Sequence, residues 1–115
     1  MIDNNISKLK GFMPKHEGTA LTKWSEEFSS IGPIMEIGSY CGKSAMYLSK
    51  GAILNDQLVY TIDHHFGSEE HQINEEYFDN EIFDHKNQRV NTLPLLIKNI
   101  NTMQVKNIVP IISNS

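Results

Sequence analysis

The amino-acid sequence predicts an α/β fold in which helices flank an open parallel sheet. Three observations lead to this prediction. Apolar segments with helical and strand spacing alternate along the chain, a glycine turn joins the first strand to a helix, and an acidic residue follows the second strand. The 115 residues are enough for one domain with a sizeable core.

The first predicted helix begins at Thr19, whose side chain is suited to capping a helix N-terminus. Its apolar residues have the spacing of one helix face, and we expect them to pack in the interior: Ala20, Leu21, Trp24 and Phe28. The helix is expected to end near Ser29, because Gly32 and Pro33 cannot continue it. We interpret residues 1–16 as a lead-in.

Two strands and a helix follow. Residues 34–37 are a short apolar run that predicts the first strand. A turn from Gly38 to Gly42 leads into a helix that is expected to end around residue 51. The second strand is predicted over residues 58–62.

A long excursion separates the second strand from the third helix. Half of the acidic residues lie in it, between positions 69 and 84, where there is no Lys or Arg. Apolar residues in the same stretch are expected to anchor it to the protein: Ile73, Tyr77, Phe78, Ile82 and Phe83. Thr92 and Pro94 predict the start of the third helix. The third strand is predicted over residues 108–112, and its Pro110 favours an edge position in the sheet.

Composition argues against several classes of protein. The net charge is −4 and the basic residues are scattered, which argues against a nucleic-acid or membrane-surface partner. No apolar run approaches the ~20 residues of a membrane-spanning helix, and the N-terminus lacks the basic and apolar parts of a signal peptide. A single cysteine, Cys41, favours a reducing, cytoplasmic setting, and we interpret it as a small buried residue.

The most informative segment is the turn between the first strand and the next helix, residues 36–44. Backbone N–H groups at a helix start can hold an anion. Gly38 allows a tight turn, and Gly42 lets the helix pack against the strand. Asp63 follows the second strand, where doubly wound folds place an acid that accepts hydrogen bonds from ribose hydroxyls.

Three ligands compete for such a turn. A phosphate-binding Walker loop needs a longer spacing than the one between Gly38 and Gly42, and a dinucleotide-binding turn has glycine where this chain has Tyr40. S-adenosylmethionine has an amino group beside its carboxylate, and the acid at Glu36 balances that positive charge. Glu36 therefore favours the methionine tail, with a small nucleotide-binding module as a weaker alternative.

The segment resembles motif I of the class I S-adenosylmethionine-dependent methyltransferases, in the variant Glu-x-Gly-Ser-x-x-Gly-x-Ser. The run over residues 61–72 is similar to a bacterial subgroup with Asp-His-His and Gly-Ser-Glu-Glu after its second strand, and Asn-Thr-Leu-Pro at 91–94 also fits. The resemblance covers roughly residues 11–115. It implies a Rossmann-like, doubly wound sheet that binds S-adenosylmethionine.

The resemblance also implies which residues hold the cofactor. Those at the methionine end are Glu36, Gly38, Ser39 and Gly42. Asp63 would hold the ribose, and His64 would lie near the ribose or the adenine. Tyr40 and Ser44 belong to the same turn and are counted with the site, although Ser44 is equally explained as a first-turn residue of the helix.

The chain departs from that family in one respect. The class I sheet has strand order 3-2-1-4-5-7-6, and only its first three strands are predicted in this sequence. We therefore expect residues 17–115 to be the cofactor-binding half of a truncated methyltransferase that acts on a small-molecule acceptor. The bare edge of the first strand would allow a homo-oligomer. The alternative is a catalytically silent, cofactor-binding or self-associating half-domain.

Histidines and acids after the second strand raise the question of a metal site: His64, His65, Glu69, Glu70 and His71. Their spacing matches no closed structural pattern and there is no paired cysteine, so hydrogen bonding within the loop is favoured and no metal is expected. Lys43, in the glycine turn, is expected to be solvated.

Overall fold

The computed structural model describes residues 2–68, 71, 73–75 and 78–114, except for the side chains of residues 2–4. Its helices are α1 (Ile2–Ser7), α2 (Lys15–Phe28), α3 (Lys43–Ala52) and α4 (Leu93–Met103). Its strands are β1 (Ile34–Ile37), β2 (Val59–Asp63), β3 (Phe83–Asp84), β4 (Arg89–Val90) and β5 (Ile108–Ile112). None of the helices in these ranges has both the length and the apolar character needed to cross a bilayer. Glu69, Glu70 and Tyr77, named above, lie outside the described residues.

The main sheet is parallel and has the strand order β1-β2-β5. Ile34 of β1 pairs with Val59 of β2, which pairs on its other side with Ile108 of β5. The predicted α/β class is thus confirmed as a small three-stranded parallel sheet with flanking helices. Pro110 lies in an edge strand, as predicted, because a proline has no N–H to donate to a second neighbour.

The two faces of this sheet differ in how they are covered. The main core joins Val59 and Ile108 of the sheet to Met46 of α3, with Ile100 of α4 packed against it. The register places six apolar residues on the opposite face, which we call the open face: Met35, Ile37, Tyr60, Ile62, Val109 and Ile111. Met35 and Ile37 are each 66% exposed there.

Helix α2 packs on α3 through small residues. A Cβ atom on Gly51 of α3 would lie 2.2 Å from the carbonyl oxygen of Thr22, and Ser25 of α2 is buried at the same contact. The large side chains of α2 face outward: Trp24 is 59% and Phe28 55% exposed. The prediction that these residues pack in the interior is wrong, because bulky groups would hold the two helix backbones apart.

Helix α2 also begins one turn earlier than predicted, at Lys15. Pro14 occupies the N-cap position, and no side chain caps the helix there. The prediction that Thr19 is the N-cap is therefore wrong. Its hydroxyl lies inside the helix and donates to the carbonyl of Lys15 at 3.0 Å.

The predicted lead-in is part of the folded structure. Ile6 of α1 is fully buried in the main core. The ammonium group of Lys43 donates to the carbonyl of Ser7 at 3.1 Å, so the prediction that Lys43 is solvated is wrong. Lys10 forms an ion pair with Asp79, and this pair ties the lead-in to the acidic excursion.

The excursion after β2 is anchored, as predicted, by a second small core. Ile82, Phe83 and Val90 are buried there with Cys41, and Phe78 packs against them. Strands β3 and β4 pair antiparallel in this core, and at two residues each they are too short for a periodic pattern to predict. The prediction that Ile73 anchors the excursion is wrong, because its side chain is 49% exposed.

Candidate functional site

The turn after β1 lies at the carboxyl end of the strand and has an unusual backbone. The φ angles of Gly38, Tyr40 and Gly42 are 95°, 48° and 93°. Residues other than glycine rarely adopt positive φ angles. The N–H of Gly42 donates to the carbonyl of Ser39 at 2.9 Å, which closes the turn. Glycine is therefore needed at both ends of this segment.

The two glycines of the turn have different surroundings. A Cβ atom on Gly42 would lie 2.5 Å from Cδ1 of Leu96, so the close neighbour of Gly42 is α4 and not the strand that was predicted. Among the residues that the structure describes, none has an atom within 4 Å of a Cβ atom on Gly38. Gly42 therefore allows close packing, and Gly38 leaves open space beside the turn.

The carboxylate of Asp63 holds the turn together. Its Oδ2 accepts hydrogen bonds from the N–H groups of Ser39 and Tyr40, both at 3.0 Å. Its Oδ1 accepts one from the N–H of His65, also at 3.0 Å. A carboxylate has about four lone-pair sites, so, counting the donors of the described residues, one position on Oδ1 is left to accept a further donor.

Glu36 lies at the centre of a chain of hydroxyl groups under the turn. Its Oε1 accepts from the Thr61 hydroxyl at 2.8 Å, and its Oε2 accepts from the Ser44 hydroxyl. The hydroxyls of Thr61 and Ser39 lie 2.6 Å apart. Burial raises the pKa of Glu36 and the nearby Asp63 charge adds to that, while the Ser44 and Thr61 hydrogen bonds oppose it.

Two clefts open on either side of the turn. The first, which we call the Asp63 cleft, has a volume of about 270 Å³ and is lined by Gly38, Tyr40, Asp63, His64, Gly67, Ser68 and His71. The second, the Lys43 cleft, has a volume of about 210 Å³ and is lined by Gly11, Phe12, Met13, Gly38, Ser39, Tyr40, Lys43 and Ser44. Gly38 and Tyr40 line both clefts, so the clefts meet at the turn.

Most of the predicted site residues come together here. Those that line a cleft are Gly38, Ser39, Tyr40, Ser44, Asp63 and His64. Glu36 lines neither cleft, but it accepts a hydrogen bond from the hydroxyl of Ser44, which lines the Lys43 cleft. Gly42 is buried beside Leu96 of α4. A further cleft of about 250 Å³ lies next to the start of β5, and it contains none of the predicted site residues and no acid.

Several cleft residues are missed by sequence reasoning. Gly11, Phe12 and Met13 belong to the lead-in, and no pattern in the sequence relates them to the turn. Lys43 follows Gly42 directly, and its position at the start of the helix is enough to predict that it lies beside the turn. His71 lies within the Asp-His-His and Gly-Ser-Glu-Glu run, although nothing in that run predicts its contact with Tyr40.

The described histidines after β2 take part in hydrogen bonds within the loop, as predicted. Nδ1 of His64 accepts from the N–H of Phe66 at 2.9 Å, and Nδ1 of His71 accepts from the N–H of Ser68 at 3.1 Å. His65 is buried, with Nδ1 at 2.6 Å from the Thr92 hydroxyl, and its Nε2 has no hydrogen-bond partner within the described part of the chain. Across the part of the chain that the structure describes, no three His, Cys, Asp or Glu side chains are grouped to hold a metal ion.

Two titrating groups at this site predict how stability depends on pH. Burial lowers the pKa of His65 from its ordinary value of 6.5. For Asp63, burial works in the opposite direction, but the N–H groups of His65 and Tyr40 and the neighbouring histidine charges together lower its pKa from 3.8. In both cases the unfolded chain takes up the proton more readily, so stability is present above the ordinary pKa and is lost as the pH falls below it.

We therefore expect the free energy of unfolding to decrease in two steps on acidification, first below about pH 6.5 and again below about pH 3.8. Urea denaturation at a series of pH values between 8 and ~3 measures this directly. His65→Gln is expected to remove the first step. Asp63→Asn is expected to reduce the second step without removing it, because hydrogen bonds from Lys10 and Asn87 also lower the pKa values of Asp79 and Asp84. A first step of unchanged size in His65→Gln would contradict this assignment.

The described residues offer hydrogen-bonding groups at a cleft, and the one cysteine of the chain is not an activated nucleophile. Cys41 is fully buried, as predicted, and burial raises its pKa to about 12, so its thiol stays protonated at neutral pH. The acids at the site are engaged as acceptors by backbone N–H groups and hydroxyls. Among models of known protein families, none matches this chain.

Proposed function

We propose that this chain is the cofactor-binding part of an S-adenosylmethionine-dependent methyltransferase that acts on a small-molecule acceptor. The observation that supports this best is the pair of clefts that meet at Gly38 and Tyr40, at the carboxyl ends of β1 and β2. Ligands of open parallel sheets bind at that edge. A ligand with two chemically different ends can place one end in each cleft and cross between them at Gly38 and Tyr40.

The Asp63 cleft suits the nucleoside end of such a cofactor. The free acceptor position on Oδ1 of Asp63 is available to one ribose hydroxyl. His64 lines the same cleft, and Nδ1 of its ring accepts from the loop backbone. The sequence predicts that Asp63 accepts more than one hydrogen bond from the ribose. This proposal gives it only one, because the carboxylate already accepts from N–H groups of the turn.

The Lys43 cleft suits the methionine end. Ser39 and Tyr40 donate their N–H groups to Asp63, so those groups are not open to a carboxylate. The start of α3 takes over that role in this proposal, because no described side chain caps it and its first N–H groups have no partner within the helix. Ser44, whose hydroxyl is held by Glu36, and Lys43, whose ammonium donates to the carbonyl of Ser7, line the same cleft.

When bound, the cofactor supplies a methyl group on a positively charged sulfur. The described residues position that group and bind its two ends, and none of them is assigned as a general base. A cofactor-binding protein without turnover is the alternative, and assaying methyl transfer to small-molecule acceptors separates the two.

Calorimetric titration of the chain with S-adenosylhomocysteine tests this proposal. We expect saturable binding with one site per chain, and no displacement of the ligand by ATP. Displacement by ATP would favour a nucleotide-binding module in its place. A folded chain that binds neither ligand would overturn the cofactor assignment.

A second proposed function, self-association, is favoured by the outer edge of β1 and the open face beside it. Within the described residues β1 pairs only with β2, and an unpaired edge is a template for another strand. We expect the sedimentation coefficient to rise with protein concentration, and Ile37→Lys to suppress the rise. Ile53→Lys, also at an exposed isoleucine, is the control. A chain that stays monomeric at all concentrations would contradict this proposal.

A further inference from the structure

Three aromatic rings from distant parts of the chain meet above the glycine turn. The ring centres of Phe12 and Tyr40 are 5.6 Å apart, those of Tyr40 and His71 are 5.5 Å apart, and those of Phe12 and His71 are 6.2 Å apart. We call this group the aromatic triangle. Phe12 is 67% exposed, so the triangle is open to solvent on one side.

The triangle stands where the two clefts join. Phe12 lines the Lys43 cleft, His71 lines the Asp63 cleft, and Tyr40 lines both. A ligand that fills both clefts has to cross the turn at Gly38 and Tyr40, because these two residues are shared by the two linings. In S-adenosylmethionine the atom between the nucleoside and the amino acid is the charged sulfur, and the crossing point is therefore next to the rings.

We propose that the aromatic triangle selects the charged, methyl-bearing cofactor over its uncharged product. This inference rests on the proposed function and adds to it which residues discriminate between the two forms. The faces of aromatic rings attract cations. When a lone pair of the acceptor forms a bond to the methyl carbon, the carbon–sulfur bond breaks, its electron pair stays on sulfur, and the sulfur loses its charge. The attraction of the rings is then lost, which favours release of the product.

The charges around the triangle are compatible with this role. The N–H of Ser68 donates to Nδ1 of His71 at 3.1 Å. The ammonium of Lys10 is paired with Asp79 and lies 3.6 Å from Glu81. Asp63 attracts a cation as well, but its contribution is the same with or without the Phe12 ring.

Phe12→Leu tests the proposal, because Phe12 is exposed and its loss leaves the core intact. The matched control is Phe28→Leu, the same change at a phenylalanine that is 55% exposed on α2. Dissociation constants are measured by calorimetry for S-adenosylmethionine and S-adenosylhomocysteine. We expect Phe12→Leu to weaken binding of the charged form by about two- to fivefold, with less than a twofold change for the product. Phe12→Trp is expected to change the ratio in the opposite direction, because tryptophan attracts cations most strongly.

The outcomes separate this inference from the proposed function. If the native chain binds both ligands and Phe12→Leu weakens both equally, the ring only packs against the ligand and the inference is overturned. An unchanged pair of constants overturns it as well. If the native chain binds neither ligand, the proposed function itself fails, and the inference fails with it.

Discussion

Replacing Gly38 by valine is expected to abolish saturable binding of S-adenosylhomocysteine. Gly38 has a φ of 95°, and a side chain at this position would project into the space shared by both clefts. None of the described residues places an atom within 4 Å of a Cβ atom there. The branched side chain therefore blocks the ligand, and the strained backbone adds a folding cost of about 1–2 kcal/mol.

Gly32→Val is the matched control for this prediction. Gly32 also has no atom of a described residue within 4 Å of a Cβ atom, and it lies before β1 and lines neither cleft. Thermal denaturation of both variants separates a folding defect from a binding defect, and Gly38→Ala is expected to bind with intermediate affinity. Normal binding by a folded Gly38→Val variant would remove the turn from the site.

Replacing Asp63 by alanine is expected to weaken binding of S-adenosylhomocysteine by about 1–3 kcal/mol, or roughly five- to 150-fold. Two losses add here. The ribose loses its acceptor on Oδ1, and the N–H groups of Ser39 and Tyr40 lose the atom that holds the turn in shape. We therefore expect the thermal stability of the free chain to fall as well.

Asp63→Asn distinguishes these two losses. Its amide oxygen can still accept from Ser39 and Tyr40, so the turn is kept, while the negative charge and one acceptor are removed. We expect its affinity to lie between those of the native chain and Asp63→Ala. Glu27→Ala, at an exposed acid of α2, controls for net charge. Native affinity in Asp63→Ala would show that Asp63 does not contact the ligand.

The sheet and the site turn are predictable because local sequence decides them. The run at Ile34–Ile37 and the one at Ile108–Ile112 are short, apolar and rich in β-branched residues, and both form strands at the predicted positions. Glycine at 38 and 42 and the acid at 63 follow from the needs of a tight turn beside a parallel sheet.

The remaining features depend on contacts that spacing does not encode. Trp24 faces outward because α2 packs closely on Gly51 of α3, and only the face of α2 that carries small side chains fits at that contact. The place of Phe12 in the site depends on a lead-in that is held through Lys43 and Lys10. Asp63 was expected to serve a ligand, and its bonds to the turn arise because β1 and β2 end side by side.

The connections between the strands have a consequence for the order of folding. Residues 38–58 join β1 to β2, whereas residues 64–107, about twice as many, join β2 to β5. Because closing a longer loop costs more chain entropy, we expect β1, α3 and β2 to assemble as the first unit. The glycine turn and Asp63 both belong to that unit. The excursion that supplies His71 is thus added to a nucleus in which the turn already has its final shape.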